Sequence, residues 1–189
     1  MEMQGSRTLA ITQQQAWEAL NDPEVLKLCI PGCDSIEATG DNAYDLANAI
    51  KVGPVAAKFK GSIALADVDA PNSYTLNFEG SGGVAGFGKG SAQVSLAPLD
   101  EGCELAYTVN ATVGGKIAQV GQRLIDGVAK SMAESFFKRF DEEMQQRHPA
   151  PASAEAAALP AVQPTRSVPA WVWIAGAIVL LLGYWLLRS

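Results

Sequence analysis

Apolar and polar residues alternate along most of the first 114 residues of the chain, with the period of two that is typical of β-strands. The first such stretch runs from Met1 to Ile11. Six more lie between Cys33 and Gly114, separated by turn signals rich in Gly, Pro and Asn. One face of these stretches is mainly apolar, and the other carries Lys, Thr and Glu. The pattern therefore predicts an antiparallel sheet with one wet face and one covered face.

Three segments have the spacing of helices instead. Thr12 and Gln15 form a capping box before a short apolar stretch, and Asp22 followed by Pro23 is a second helix start. The longest segment, from Gly115 to about Gln146, repeats apolar residues every three or four positions. That repeat consists of Ile117, Val120, Leu124, Val128, Met132, Phe136, Phe140 and Met144. It predicts a long amphipathic helix whose apolar side covers the sheet.

The order of these elements predicts an α+β fold: a strand, two short helices, a six-strand antiparallel meander and one long C-terminal helix. The apolar face of the sheet is rich in Gly and Ala and has few aromatic residues. A bent sheet with a single helix across it then leaves space between the two, so we expect a hydrophobic cavity. Residues 1–147 would form this one domain.

The end of the chain has a different character. Residues 148–169 are rich in Ala and Pro and lack periodicity, which is typical of a flexible linker. Residues 170–187 contain no charged side chain, and a helix of that length is about 27 Å long, close to the roughly 30 Å core of a bilayer. Aromatic residues flank the run at both ends: Trp171, Trp173, Tyr184 and Trp185. We therefore predict a C-terminal transmembrane anchor.

The net charge of the chain excludes some classes of binding partner. It contains 14 Lys and Arg against 20 Asp and Glu, a net charge of −6, so we expect no nucleic acid as a partner. An acidic domain is also repelled by anionic headgroups, so attachment should come from the apolar anchor. The first residues contain neither a basic stretch nor an apolar signal core. We expect the domain to lie in the cytoplasm, held at the cytoplasmic membrane by its single-pass anchor.

Three motifs that could carry chemistry are incomplete. The glycine cluster from Gly80 to Gly90 is close to a phosphate-binding loop, but Gly90 stands where Ser or Thr should bind Mg²⁺, and a strand pattern follows. Cys29 and Cys33 lack redox spacing and a second pair of metal ligands. The single histidine, His148, lies at the linker boundary. We therefore assign no catalytic residue, no metal site and no covalent cofactor.

Three segments resemble the CoxG family of carbon monoxide dehydrogenase subunits. They are Cys29-Ile30-Pro31-Gly32-Cys33, Val52-Gly53-Pro54-Val55 leading to Lys58-Phe59-Lys60-Gly61, and Gly114-Gly115-Lys116-Ile117-Ala118-Gln119-Val120-Gly121 with Arg123-Leu124-Ile125. That family belongs to the helix-grip, START-like (SRPBCC) superfamily. The resemblance implies a helix-grip fold and an accessory protein, not an enzyme. It also implies a role in bringing a molybdenum hydroxylase such as carbon monoxide dehydrogenase to the membrane, with a quinone or other lipid in the cavity.

The predicted cavity would then hold a lipophilic ligand such as a respiratory quinone. Its inward polar side chains, suited to a ligand carbonyl, are Tyr44, Asn48 and Tyr107. Its apolar walls are predicted to include Phe59, Ile63, Phe78, Val109, Val120, Gly121, Leu124 and Val128. A single bulge would reverse the faces of a strand, so this assignment depends on the register of the sheet.

Two other functions stay open. A pure recruitment scaffold would fill the pocket with its own side chains and would only hold the enzyme at the membrane. A START-like enzyme, such as a cyclase or hydrolase, would use the cavity for catalysis. That alternative lacks a histidine and paired inward carboxylates for acid–base chemistry.

Overall fold

A computed structural model describes residues 1–149, and its elements follow the predicted order. The α-helices are α1 (Gln13–Leu20), α2 (Pro23–Cys29) and α3 (Gln122–Arg147). The strands are β1 (Glu2–Leu9), β2 (Cys33–Gly40), β3 (Ala43–Val52), β4 (Val55–Asp69), β5 (Ser73–Ser81), β6 (Phe87–Pro98) and β7 (Cys103–Gly114). Two 3₁₀ turns lie at Gly83–Ala85 and Lys116–Val120.

The seven strands form one antiparallel sheet in the order β1-β7-β6-β5-β4-β3-β2. From β2 to β7, strands that are consecutive in the chain pair with each other, and β1 closes the series by pairing with β7. The register shifts between Ala66 and Asp69, at an irregularity near the end of β4. The predicted α+β arrangement, a meander with a long C-terminal helix, is confirmed.

The long helix begins later than the apolar repeat predicts. We expected it from Gly115, but α3 starts at Gln122, and a 3₁₀ turn precedes it. Gly115 and Gly121 flank that turn with φ angles of 85° and 96°, in the left-handed region that favours glycine. A Cβ atom at Gly115 would also lie 2.4 Å from the Cα of Gly86. Two glycines therefore interrupt the helical pattern, and Ile117 and Val120 belong to the 3₁₀ turn and not to α3.

The C-terminal half of α3 is held in the main core. Phe140 is fully buried, and with Met144 it packs among residues of α1, α2 and the neighbouring strands. Arg7 of β1 lies over the ring of Phe137, 5.3 Å from its centroid, and pairs with Asp141 at 3.5 Å. The N-terminal half of α3 contributes instead to a smaller buried cluster of Val52, Ile117 and Ile125.

The cap of α1 gives a first prediction. The Thr12 Oγ1 accepts a hydrogen bond from the backbone N–H of Gln15 at 3.2 Å, and the Thr12 N–H donates to the Gln15 side chain at 2.9 Å. Replacing Thr12 with alanine removes the first bond, so the free energy of unfolding should fall by about 1 kcal/mol in urea denaturation. The control is Thr12→Ser, which keeps the hydroxyl. An equal loss in both variants would contradict this role of the cap.

Among residues 1–149, no helix is both long and apolar enough to cross a membrane. The predicted anchor, residues 170–187 with Trp171, Trp173, Tyr184 and Trp185, lies outside the described residues. The same holds for the predicted linker, except for its first two residues, 148 and 149.

Candidate ligand-binding cavity

Two apolar lobes lie between the sheet and the elements that cover it, and both are bordered by Ile63 and Leu76. The first, the helix-side lobe, has a volume of about 270 Å³ and is bounded by all three α-helices and the sheet. The second, the turn-side lobe, has a volume of about 320 Å³ and reaches the 3₁₀ turn at Lys116–Val120. Volumes of this order suit small lipophilic molecules. The sequence predicts one cavity, and the structure divides it into two adjoining lobes.

Apolar side chains dominate both linings. In the helix-side lobe, the helices contribute Leu20, Leu26, Ala133, Phe136 and Phe137. The sheet walls of the turn-side lobe include Ile50, Phe59, Phe78 and Val113, and Ile117 enters from the 3₁₀ turn. Transfer of an apolar ligand from water to these walls is favourable, whereas a polar ligand would lose its hydrogen bonds to water. The cavity therefore favours an apolar molecule over a polar one.

Three tyrosines bring hydroxyl groups to the helix-side lobe. The Tyr44 hydroxyl donates to the backbone carbonyl of Asn21 at 3.2 Å, and Tyr74 is only 6% exposed. Burial raises the pKa of both phenols, and the nearby Tyr44 raises the pKa of Tyr74 further. Tyr107 stacks on Phe137 with ring centroids 5.5 Å apart. Tyr74 therefore stays protonated at neutral pH and can donate a hydrogen bond within an otherwise apolar lobe.

Asn48 is the one polar residue that is buried among the described residues, with 7% of its surface exposed, and it lines the turn-side lobe. Its side-chain amide has no hydrogen-bond partner within residues 1–149, and it borders the lobe instead of being sealed against protein. The amide therefore reaches the open space of the lobe, where it can bond to water or to a ligand oxygen. Ser62 and Glu79 also line this lobe, and Asn48 is the most buried of its polar residues.

Seven of the predicted ligand-binding residues lie on the cavity walls. Tyr44, Ile63, Tyr107 and Val109 line the helix-side lobe, while Asn48, Phe59, Ile63 and Phe78 line the turn-side lobe. They share one face because the strands that carry them keep an unbroken register at these positions. Their contact with a ligand stays a prediction.

The four residues predicted from the N-terminal part of the long helix line neither lobe. Leu124 is 42% exposed, whereas Ile125 beside it is buried. Val120 and Val128 pack against the small buried cluster, and Gly121 precedes the first residue of α3. Val120 and Gly121 precede α3 and so are not part of its apolar side. Inside α3, a four-residue spacing drifts by about 40° at each step, so Leu124 lies about 160° around the helix axis from Phe140.

The sequence prediction leaves out several wall residues. Tyr74 and Leu76 share the inward alternation of β5 with Phe78, so the pattern itself contained their signal. Leu26 of α2 and Ile117 of the 3₁₀ turn line the lobes from outside the sheet. Strand alternation cannot reveal such residues, since their position depends on how the covering elements dock.

The incomplete motifs of the sequence, the cysteines and the glycine cluster, can be placed in the fold. Cys29 and Cys103 are fully buried, and burial raises the pKa of the Cys29 thiol to about 11. The 3₁₀ turn at Gly83–Ala85 is followed by strand β6, so no helix N-terminus follows the glycine cluster. Within residues 1–149, no group of three or more His, Cys, Asp or Glu side chains is arranged to hold a metal ion.

The chain is similar to several proteins of known structure. A conserved protein from Geobacillus kaustophilus is 36% identical, and the match covers 77% of this chain and 96% of that protein with a TM-score of 0.73. A START superfamily protein from Mycobacterium smegmatis shares the fold at 12% identity, with 77% and 98% covered and a TM-score of 0.61. So does the ZhuI aromatase/cyclase from Streptomyces sp. R1128, at 15% identity, with 78% and 94% covered and a TM-score of 0.58. No curated protein matches the chain.

The sequence also matches a family model over residues 5–145, nearly the whole described domain and both lobes of its cavity. That model is the one for CoxG, an accessory subunit of carbon monoxide dehydrogenase, and the solved neighbours include START-like proteins. The resemblance in the three sequence segments is therefore confirmed. This chain, with its START-like fold, belongs to the CoxG family of carbon monoxide dehydrogenase subunits.

Proposed function

We propose that this protein is a membrane-tethered accessory subunit of a molybdenum-containing carbon monoxide dehydrogenase-type enzyme and carries a respiratory quinone in its cavity. The family supports the association with a carbon monoxide dehydrogenase. The observation that carries the ligand proposal is the two-lobed cavity, whose lining is mainly apolar, with three tyrosines in the helix-side lobe and Asn48, Ser62 and Glu79 in the turn-side lobe. A lipophile with a small polar head has the same distribution of polar and apolar groups.

A quinone fits this distribution chemically. Its ring carries carbonyl oxygens that accept hydrogen bonds, and its isoprenoid tail is apolar. Tyr74 and Asn48 offer donors, one in each lobe. Tyr44, beside Tyr74 in the helix-side lobe, is four residues from Asn48 on β3, a separation of about 13 Å along the strand. That distance exceeds one quinone ring, so the ring occupies one lobe and the tail extends through the other.

The C-terminal segment supplies the second half of the proposal. A single-pass anchor over residues 170–187 would hold the protein at the cytoplasmic membrane, with the domain in the cytoplasm. The preceding Ala- and Pro-rich segment would let the domain move between the bilayer and the enzyme. Quinone would then pass between the membrane pool and the enzyme without leaving an apolar environment.

Extraction of the bound ligand tests the carrier proposal. The full-length protein, purified in mild detergent, is extracted with organic solvent, and the extract is analysed by mass spectrometry. We expect an isoprenoid quinone in near-stoichiometric amount. An unrelated single-anchor protein purified in the same way controls for quinone carried over with membrane lipid. An equal quinone content in both proteins, together with no binding of added short-chain quinone, would refute the proposal.

A further inference from the structure

The turns of the sheet fall into two groups at opposite ends, because consecutive strands are antiparallel. The first group, which we call the cavity end, consists of residues 51–55, 82–87 and 115–124. The second group, the acidic end, consists of residues 40–42, 67–72 and 99–102. The turn-side lobe lies next to the cavity end, since Phe87 and Ile117 both line it.

The two ends carry opposite charge. All charged side chains at the acidic end are negative and exposed: Asp41, Asp67, Asp69, Asp100 and Glu101. All charged side chains at the cavity end are positive and exposed: Lys51, Lys116 and Arg123. The ammonium group of Met1 and the carboxylate of Glu2, at the start of β1, offset each other. A chain with a net charge of −6 thus places three positive side chains at one end, with one exposed carboxylate, Asp126, nearby in the first turns of α3.

The cavity end also exposes large apolar side chains. Val84, at the centre of its 3₁₀ turn, is 85% exposed, while Phe87 and Leu124 are 46% and 42% exposed. Leu124 lies over the turn between β3 and β4, since a Cβ atom at Gly53 would be 2.9 Å from its Cδ2. The two 3₁₀ turns contact each other as well. These apolar side chains therefore lie at the same end of the sheet as the three basic residues.

We infer that the cavity end docks on an anionic lipid surface. Val84 and Leu124 enter the boundary between headgroups and acyl chains, and Lys51, Lys116 and Arg123 contact lipid phosphates. A combination of exposed apolar side chains and nearby basic residues is what interfacial membrane binding requires. The acidic end is repelled by the same headgroups, so the charge asymmetry also sets the orientation of the domain.

Docking in this orientation gives the ligand a route. It places the turn-side lobe, with Ile117 and Phe87 in its lining, against the acyl chains. The inference rests on the proposed function for the nearby membrane and for the lipophilic ligand, and it adds the face through which that ligand enters. The net negative charge argues against lipid attraction, but the topology of the sheet separates the positive residues from the negative ones.

Spin labels on the full-length protein test this orientation in vesicles of phosphatidylcholine with phosphatidylglycerol. One nitroxide is attached at Val84→Cys, and the matched control at Val68→Cys, a valine at the acidic end that is 41% exposed. Both variants carry Cys33→Ser, since Cys29 and Cys103 are buried. We expect the Val84 label to be accessible to oxygen and shielded from an aqueous nickel chelate. The Val68 label should show the reverse.

Substitution of the basic residues distinguishes lipid docking from other causes that could shield the Val84 label from the chelate. Each of Lys51→Gln, Lys116→Gln and Arg123→Gln should lower the ratio of docked to undocked domain about fivefold. High salt should lower it too. A Val84 label as accessible to the chelate as the Val68 label would overturn the inference, as would shielding that appears only when a partner enzyme is added. Quinone content is measured on the same samples. An unshielded Val84 label with normal quinone content would overturn only the docking inference, whereas absence of quinone would contradict the carrier proposal.

Discussion

Replacing Ile63 with tryptophan is expected to remove quinone from the protein while leaving the domain folded. Ile63 borders both lobes, and it lies opposite Tyr44 on β3 and Phe78 on β5. A larger ring at this junction occupies the space through which a ligand would extend from one lobe to the other. Because the ring and the ligand would compete for this space, quinone affinity should fall at least tenfold, the equivalent of about 1.4 kcal/mol.

The measurement is quinone content after solvent extraction, together with calorimetric titration of a short-chain quinone. Ala64→Trp is the matched control, because Ala64 is the next residue on the same strand and is exposed on the opposite face. It should bind quinone as the wild type does. If both variants lost quinone equally, the cause would be a general loss of structure. If Ile63→Trp bound quinone normally, the two lobes would not be the binding site.

The sheet could be predicted from the sequence because its pattern is local. Strands with one covered face alternate with a period of two, and Gly, Pro and Asn mark the turns between them. The inward positions of Tyr44, Asn48, Phe59 and Phe78 follow from that alternation alone. The alternation remained reliable because the register shift in β4 comes after Ala66, beyond the residues that form the cavity walls.

The start of α3 could not be predicted in the same way. The apolar repeat continues through Ile117 and Val120, but Gly115 and Gly121 adopt positive φ angles that an α-helix does not contain. Glycine permits such a conformation without requiring it, so the sequence alone does not reveal the break. The break places Ile117, which lines the turn-side lobe, in a 3₁₀ turn and not in the helix.

The positions of the charges, like the start of α3, could not be predicted from the sequence, because they depend on the topology of the sheet. Total charge predicts repulsion from anionic lipid, because it averages over the whole chain. The meander brings three basic residues from distant segments to one end, and five acidic residues to the other. Only the order of the strands shows that these groups are separate. Membrane attachment by an anchor and orientation by the domain surface are therefore compatible.

Replacing Asn48 with leucine should leave the stability of the ligand-free protein nearly unchanged and weaken quinone binding. Only 7% of Asn48 is exposed, and its side-chain amide has no partner within the described chain. Because that amide reaches the open space of the turn-side lobe, its loss should change the free energy of unfolding by less than about 1 kcal/mol. Losing its hydrogen bond to a quinone carbonyl should weaken affinity about fivefold, the equivalent of about 1 kcal/mol.

Urea unfolding of ligand-stripped protein measures the first effect, and titration of a short-chain quinone measures the second. Asn77→Leu is the control, because Asn77 is exposed on β5 and should change neither quantity appreciably. A purely structural role for Asn48 would lower stability and leave affinity intact. A loss of affinity without a loss of stability would therefore identify a side chain whose hydrogen-bond partner is the ligand. It would place the quinone ring in the turn-side lobe, with its tail directed towards the tyrosines.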